Sequence, residues 1–133
     1  IGRTFIEPHQ RIRDFRVKIK HSPVKEIIKN KDIILIDDSI VRGTTSKKLI
    51  KLLKKAGAKK IHLCISSPPI KFPCFYGIDT PTKKELIANK MSTEEIKKFL
   101  EVDSLIYLSR EGLLNSCRRM GYCLACFNGK YPL

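Results

Sequence analysis

An α/β fold built on a parallel sheet is what this sequence predicts, and three observations predict it. Residues 33–36 (Ile-Ile-Leu-Ile) form an unbroken apolar run of the kind found in strands buried on both faces. A stretch of helical apolar period follows after a short turn, and a second apolar run follows that helix. The same alternation of strand and helix recurs before the chain ends, which is the pattern of crossover-connected parallel strands. A chain of 133 residues, 42% of them hydrophobic, fits a single domain with a core of its own.

The elements follow in order. Residues 1–20 mix basic, apolar and proline residues without a stable period and read as a long loop, a candidate lid. Ser22-Pro23 is a helix start, a cap residue followed by proline at the first helical position, and that helix runs to about Asn30. The strand at 33–36 comes next. From Thr45 to Ala56 a helix places Leu49, Ile50, Leu53 and Ala56 on one face, and Gly57 stops it. Residues 61–66 are a second strand, closed by Pro68-Pro69. A short helix is predicted at 83–88. Ser92-Thr93-Glu94-Glu95 is a capping box opening a helix to Leu100. Residues 104–108 are a third strand and 111–120 a last helix. The expected sheet is part of a doubly wound one, with upstream strands missing: a three-stranded piece leaves an edge open. The start at Ile1-Gly2-Arg3, inside what reads as a motif, carries the same expectation of a longer polypeptide.

Charge and cysteines bound the function. The net charge is +14, mostly lysine. Nucleic-acid binding, attraction of a polyanionic small molecule and a plain lysine-rich surface all compete to explain it. The lysines fall on polar helix faces (Lys47, Lys48, Lys51, Lys54, Lys55) without interleaved aromatic residues. That argues against nucleic acid and for surface bias with some steering of a pyrophosphate substrate. Five cysteines, an odd number and without a secretory signal, argue for a reducing compartment, the cytoplasm, rather than a disulfide framework. No apolar run is long enough to cross a membrane.

The chemistry concentrates in Asp37-Asp38-Ser39-Ile40-Val41-Arg42-Gly43-Thr44-Thr45-Ser46. Asp37 and Asp38 end the first strand, where open α/β sheets bind ligands. Gly43 permits close backbone approach, and the N–H groups up to Ser46 open the next helix toward an anion. Thr44 and Thr45 add hydroxyls and Arg42 adds charge. This is neither a Gly-Lys-Ser/Thr phosphate loop nor Gly-x-Gly-x-x-Gly. A solvated acidic turn with a helix cap is the bland alternative. Cys123-Leu124-Ala125-Cys126 places two thiols within reach of one metal, with Cys74 as a distant third; a redox pair or unlinked thiols are equally open at this point. Cys64 reads as a buried core thiol and Cys117 as core or a substitute ligand. His9, His21 and His62 are isolated, and none is assigned a role.

The acidic loop as a whole resembles the ribose-5-phosphate loop of the type I phosphoribosyltransferases, and in this form that of the glutamine phosphoribosylpyrophosphate amidotransferases. Gly2-Arg3-Thr4-Phe5-Ile6-x-Pro8-x-Gln10, Ile65-Ser66-Ser67-Pro68-Pro69-Ile70, Pro73-Cys74-Phe75-Tyr76-Gly77-Ile78-Asp79-Thr80, Glu85-Leu86-Ile87-Ala88, Val102-Asp103-Ser104-Leu105, Tyr122-Cys123-Leu124-Ala125-Cys126-Phe127 and Gly129-x-Tyr131-Pro132 are similar to that family in the same order. The resemblance implies a reaction in which glutamine-derived ammonia displaces pyrophosphate from C1 of phosphoribosyl pyrophosphate to give 5-phosphoribosylamine, the first step of purine synthesis. It implies that Asp37 and Asp38 hold the ribose hydroxyls and a Mg²⁺ ion, and that residues 39–46 bind the 5-phosphate. Arg3 and Lys20 become lid residues facing the pyrophosphate, or else a solvated basic loop. Phe5 and Ile6 become the wall of an ammonia channel, or else ordinary loop anchors.

It also implies that Cys74, Cys123 and Cys126 ligate a [4Fe–4S] cluster whose fourth ligand lies upstream. Residues 1–20 are then a lid, 21–120 the α/β core and 121–133 a cluster-binding tail. The glutaminase domain of the family is absent from these residues, so the fragment alone is expected to be inactive. Purine nucleotides as inhibitors and a homo-oligomer belong to the same expectation. His21, where relatives often carry an apolar residue, and a short 116–122 segment depart from the family. A phosphoribosyltransferase-fold regulator that senses phosphoribosyl pyrophosphate and binds DNA is the rival reading. The lid, cysteine and Gly129–Pro132 motifs weaken it, as they weaken a salvage transferase.

Overall fold

The computed structural model describes residues 23–117 and 121–132. Within them the chain runs α1 (Pro23–Ile28), β1 (Asp32–Asp37), α2 (Thr44–Lys55), β2 (Lys60–Ile65), a 3₁₀ turn (Lys83–Glu85), α3 (Ile87–Lys90), α4 (Thr93–Leu100), β3 (Ser104–Tyr107), α5 (Arg110–Ser116) and α6 (Ala125–Asn128). The strands form one sheet in the order β1-β2-β3. Both pairs are parallel, with Ile33 opposite Ile61 and Leu63 opposite Leu105. The predicted α/β class and all three strands therefore stand. The expected last helix ends at Ser116, and α6 was not foreseen.

Burial follows the strand period. Ile61, Leu63 and Ile65 of β2 and Leu105 of β3 point into a core with Ile50, Leu53 and Ala56 of α2 and Ile96 and Leu100 of α4. Helix α4 begins as its sequence dictates: Ser92 Oγ accepts from the Glu95 N–H at 3.2 Å while Glu95 Oε2 accepts from the Ser92 N–H at 2.7 Å. The two helices share this side of the sheet, where Ile33 and Leu35 of β1 pack against the core; among the described residues the other face of β1 is left open. Ile34 and Ile36 are 69% and 72% exposed, and Ile106 of β3 is 57% exposed. Among the described residues Cys64 lies on the same side, half-buried and alternating with the core residues of β2. His62 shares that side and pairs through Nδ1 with Ser104 Oγ at 2.8 Å.

At its amino end β2 is held by Asp103: Oδ2 accepts from the Ile61 N–H at 2.8 Å, and the Asp103 N–H donates back to the Ile61 carbonyl at 2.9 Å. At the other end β1 delivers Asp37, and β2 runs on into Ser66-Ser67-Pro68-Pro69. No described helix is long and apolar enough to cross a membrane.

Candidate phosphate-binding site

The site grows from the carboxyl end of β1. Asp37 is half-buried and its Oδ1 accepts from the Asp38 N–H at 2.9 Å. Asp38 is exposed and its Oδ1 accepts from Ser39 Oγ at 3.1 Å, so the two carboxylates are turned and steadied by their own loop. Ile40 is 1% exposed and anchors the loop in the core, with Ser39 and Val41 half-buried on either side. Gly43 then adopts φ 78°, ψ −8°, the left-handed conformation glycine takes without strain. It stands at the cap position of α2, where no side chain closes the helix and no acidic residue occupies the first turn. The first-turn N–H groups of this helix therefore present partial positive charge, beside the exposed Thr44 and Thr45. Ser46, one turn in, is buried.

Three contacts from one segment brace this loop. Arg42 donates from Nε to Glu85 Oε1 at 3.1 Å, and its Nη2 lies 3.1 Å from the same oxygen. The Ile87 N–H donates to the Val41 carbonyl at 2.9 Å. Ile87 Cδ1 and Phe99 Cε1 close over Gly43, at 2.9 and 3.2 Å from where a Cβ would stand. Glu85 is itself tied down, its Oε2 accepting from Thr82 N–H and Oγ1 at 3.1 and 2.9 Å. Those Thr82 bonds and the Arg42 guanidinium hold the Glu85 carboxyl below its ordinary value. Neither Glu85 nor Ile87 was singled out for this loop from the sequence, although Thr82-x-x-Glu85 has the capping-box spacing that could have drawn notice.

A second constellation gathers thiols. The carbonyl of Cys126 accepts from the Lys71 and Phe72 N–H groups at 2.9 and 3.1 Å, which docks α6 on the loop that carries Cys74. Tyr131 Oη donates to the Pro73 carbonyl at 2.8 Å, and Tyr76 Oη donates to the Pro132 carbonyl. The Tyr131 ring packs on Phe75, with centroids 4.9 Å apart. Cys74 is held by its N–H on Thr80 Oγ1 at 2.7 Å. Burial pushes the Cys126 thiol up, and the nearby Cys123 and Cys74 add to the shift. The three predicted ligands are thus electrostatic neighbours. Among the described residues no three Cys, His, Asp or Glu side chains are arranged to hold a single metal ion. Arg3, Phe5, Ile6 and Lys20 lie outside the described residues.

Comparison with known proteins assigns this arrangement to a family. The family model described as "Phosphoribosyl transferase domain" matches residues 8–100. The chloroplastic amidophosphoribosyltransferase of Glycine max is 55% identical over 135 aligned residues, covering 100% of this chain and 24% of the relative. The amidophosphoribosyltransferase of Methanocaldococcus jannaschii is 54% identical over 132 residues, covering 99% of this chain and 28% of the relative. A solved glutamine phosphoribosylpyrophosphate amidotransferase from Bacillus subtilis, complexed with ADP and GMP, superposes with a TM-score of 0.77 at 50% identity, over 98% of this chain and 30% of that one. The chain thus spans between about a quarter and a third of the length of these relatives. With a parallel α/β sheet, an acidic strand end and a glycine-turned helix start matched over most of its length, the chain belongs to the phosphoribosyl transferase domain family.

Proposed function

We propose that this chain forms the phosphoribosyl pyrophosphate site of an amidophosphoribosyltransferase, which transfers glutamine-derived ammonia to C1 of that substrate and releases pyrophosphate, the first step of purine synthesis. The observation that carries the reading is the Asp37-Asp38 pair joined, through the left-handed Gly43, to the uncapped start of α2. Relatives more than half identical bear the name of that activity.

In this reading the first-turn N–H groups of α2 and the Thr44 and Thr45 hydroxyls hold the 5-phosphate, at the positive end of the helix. Asp37 and Asp38 accept hydrogen bonds from the ribose 2′- and 3′-hydroxyls. Their carboxylate oxygens are also the hard donors that suit Mg²⁺, which supplies charge neutralisation for the pyrophosphate when bound. As the bond to pyrophosphate breaks, positive charge gathers on the ribose ring, so fixed geometry and nearby carboxylates serve the reaction without a protein nucleophile. Arg3 and Lys20 are proposed lid residues for the pyrophosphate. Phe5 and Ile6 are proposed as an apolar passage in which ammonia stays unprotonated.

Cys74, Cys123 and Cys126 supply the thiolate donors an iron–sulfur cluster takes. These three thiolates would be the residues holding such a cluster, which would supply a covalent tie between their two segments. We assign it a structural role, tying the 121–133 tail to the 21–120 core. Purine nucleotides are the proposed inhibitors, in keeping with the ADP and GMP of the Bacillus subtilis complex. A glutaminase domain and further copies of the chain are the proposed partners. A reducing compartment suits the thiols; we take it to be the cytoplasm, while the plant relatives are named chloroplastic.

Titration calorimetry with phosphoribosyl pyrophosphate, with and without Mg²⁺, tests the reading. Mg²⁺-dependent binding by this chain is the expected result. No binding in either condition would overturn it.

A further inference from the structure

We propose that Glu85 is a positioning residue for the phosphate loop: by holding Arg42 sideways it keeps the Gly43 turn in the shape that receives a 5-phosphate. The inference rests on the proposed phosphoribosyl pyrophosphate site and adds to it a residue that touches no part of the substrate.

Three tethers from residues 85–87 meet the loop on successive residues. Glu85 grips the Arg42 side chain, the Ile87 N–H takes the Val41 carbonyl, and the Ile87 side chain closes over Gly43. Each restrains a different degree of freedom: the direction of Arg42, the plane of the Val41 peptide and the room above Gly43. Glu85 is the tether whose far end is built for the purpose. Its second oxygen is fixed by the Thr82 hydroxyl and N–H, so the carboxylate reaches Arg42 from a rigid base.

Both guanidinium nitrogens in the pair point to the one oxygen, Oε1, which turns the Arg42 charge toward the 3₁₀ turn. The anion is then met chiefly by the α2 backbone, where the N–H geometry depends on the loop conformation that the tethers hold. The pair is half-exposed, with side chains 54% and 45% accessible, so its contribution is that of a surface ion pair.

The test is calorimetric titration of the wild-type chain, Glu85→Gln, Arg42→Glu and the swapped pair Arg42→Glu/Glu85→Arg. The probes are Mg²⁺–phosphoribosyl pyrophosphate, ribose 5-phosphate and Mg²⁺–pyrophosphate. Glu85→Gln is expected to weaken ribose 5-phosphate and phosphoribosyl pyrophosphate by the same factor, about 2- to 5-fold, and to leave pyrophosphate unchanged. Arg42→Glu should weaken both further, and the swapped pair should recover most of the loss.

A general loosening of the fold would move pyrophosphate as well, and that result overturns the proposal. So does a Glu85→Gln chain that binds like the wild type. A swapped pair that recovers nothing assigns Arg42 a direct phosphate contact and equally overturns it. A wild-type chain that binds none of the three probes overturns the substrate site itself, which separates that failure from the failure of the tether.

Discussion

Gly43 and Ile87 meet so closely that a Cβ on Gly43 would stand 2.9 Å from Ile87 Cδ1. Two requirements coincide at this residue. Its φ of +78° lies in the left-handed region, and the space above it is already filled. Gly43→Ala is therefore expected to cost roughly 1–2 kcal/mol of stability from the backbone alone, because the Ile87 methyl can swing aside but the φ cannot. Phosphoribosyl pyrophosphate binding should fall further than stability does. Urea unfolding and calorimetry on the same variant separate the two, and an alanine chain that binds normally would rule out a shape-critical turn.

Asp37→Asn and Asp38→Asn remove the charge while keeping the size of each side chain. If these carboxylates hold the ribose hydroxyls and Mg²⁺, each change weakens binding by about 10- to 100-fold, the worth of a hydrogen bond to a charged group. The Mg²⁺ dependence of the titration should shrink with it. Retained affinity in both variants would return the pair to an ordinary solvated turn.

The thiol constellation makes an analytical prediction. Full-length protein prepared without oxygen is expected, on the proposed cluster assignment, to carry about four irons with matching acid-labile sulfide. Cys123→Ser or Cys126→Ser should lose both together with the visible absorption. Zinc in place of iron would keep the thiols as a metal site but discard the cluster.

Helix α4 carries a pH signature. The Ser92 N–H and hydroxyl hold the Glu95 carboxyl below its ordinary 4.5. A folded value below the unfolded one means that the stabilisation is complete above about 4.5 and is lost as pH falls through the folded value. Ser92→Ala should lower stability by about 1 kcal/mol at neutral pH and reduce this acid limb only in part, because the backbone N–H at position 92 still holds Glu95. Denaturation curves at neutral and acid pH for wild type and variant give the comparison.

Tyr107 supplies the opposite limb. Burial pushes its hydroxyl from 10.0 up to about 12. Among the described residues the hydroxyl oxygen has no hydrogen-bond partner. The raised value means that stability is intact below 10 and declines as pH rises from there toward 12. Tyr107→Phe is expected to hold or gain up to about 1 kcal/mol and to lose the alkaline limb. A clear loss of stability at neutral pH would show that the hydroxyl has a partner.

Much of this molecule was legible without coordinates because the signals are local. The Ser92-x-x-Glu95 box predicts a helix start from hydrogen bonds made within one turn, and α4 begins there. The Asp37–Ser46 loop is readable for the same reason: strand end, acid pair, glycine and helix start are contiguous. Burial was less legible. An apolar run states that a strand can be buried on both faces, not which elements cover it; among the described residues Ile33 and Leu35 pack against the core while Ile34 and Ile36 stand exposed. Cys64 alternates with the core residues of β2 and stands opposite Ile36 on that second face.

What the sequence by itself determined is the chemistry of each segment: which residues cap, which turn, and which oxygens and thiols are on hand. Only the tertiary structure decided who meets whom. Arg42 and Glu85 stand 43 residues apart, and nothing in either local pattern names the other. Cys74 and Cys126 stand 52 positions apart in sequence, and their segments meet through the Cys126 carbonyl on the Lys71 and Phe72 N–H groups and through Tyr131 on the Pro73 carbonyl. Local structure is set by interactions spanning a few residues, whereas such pairs depend on how the sheet orders its strands and which face its helices cover. That outcome belongs to the packed chain as a whole.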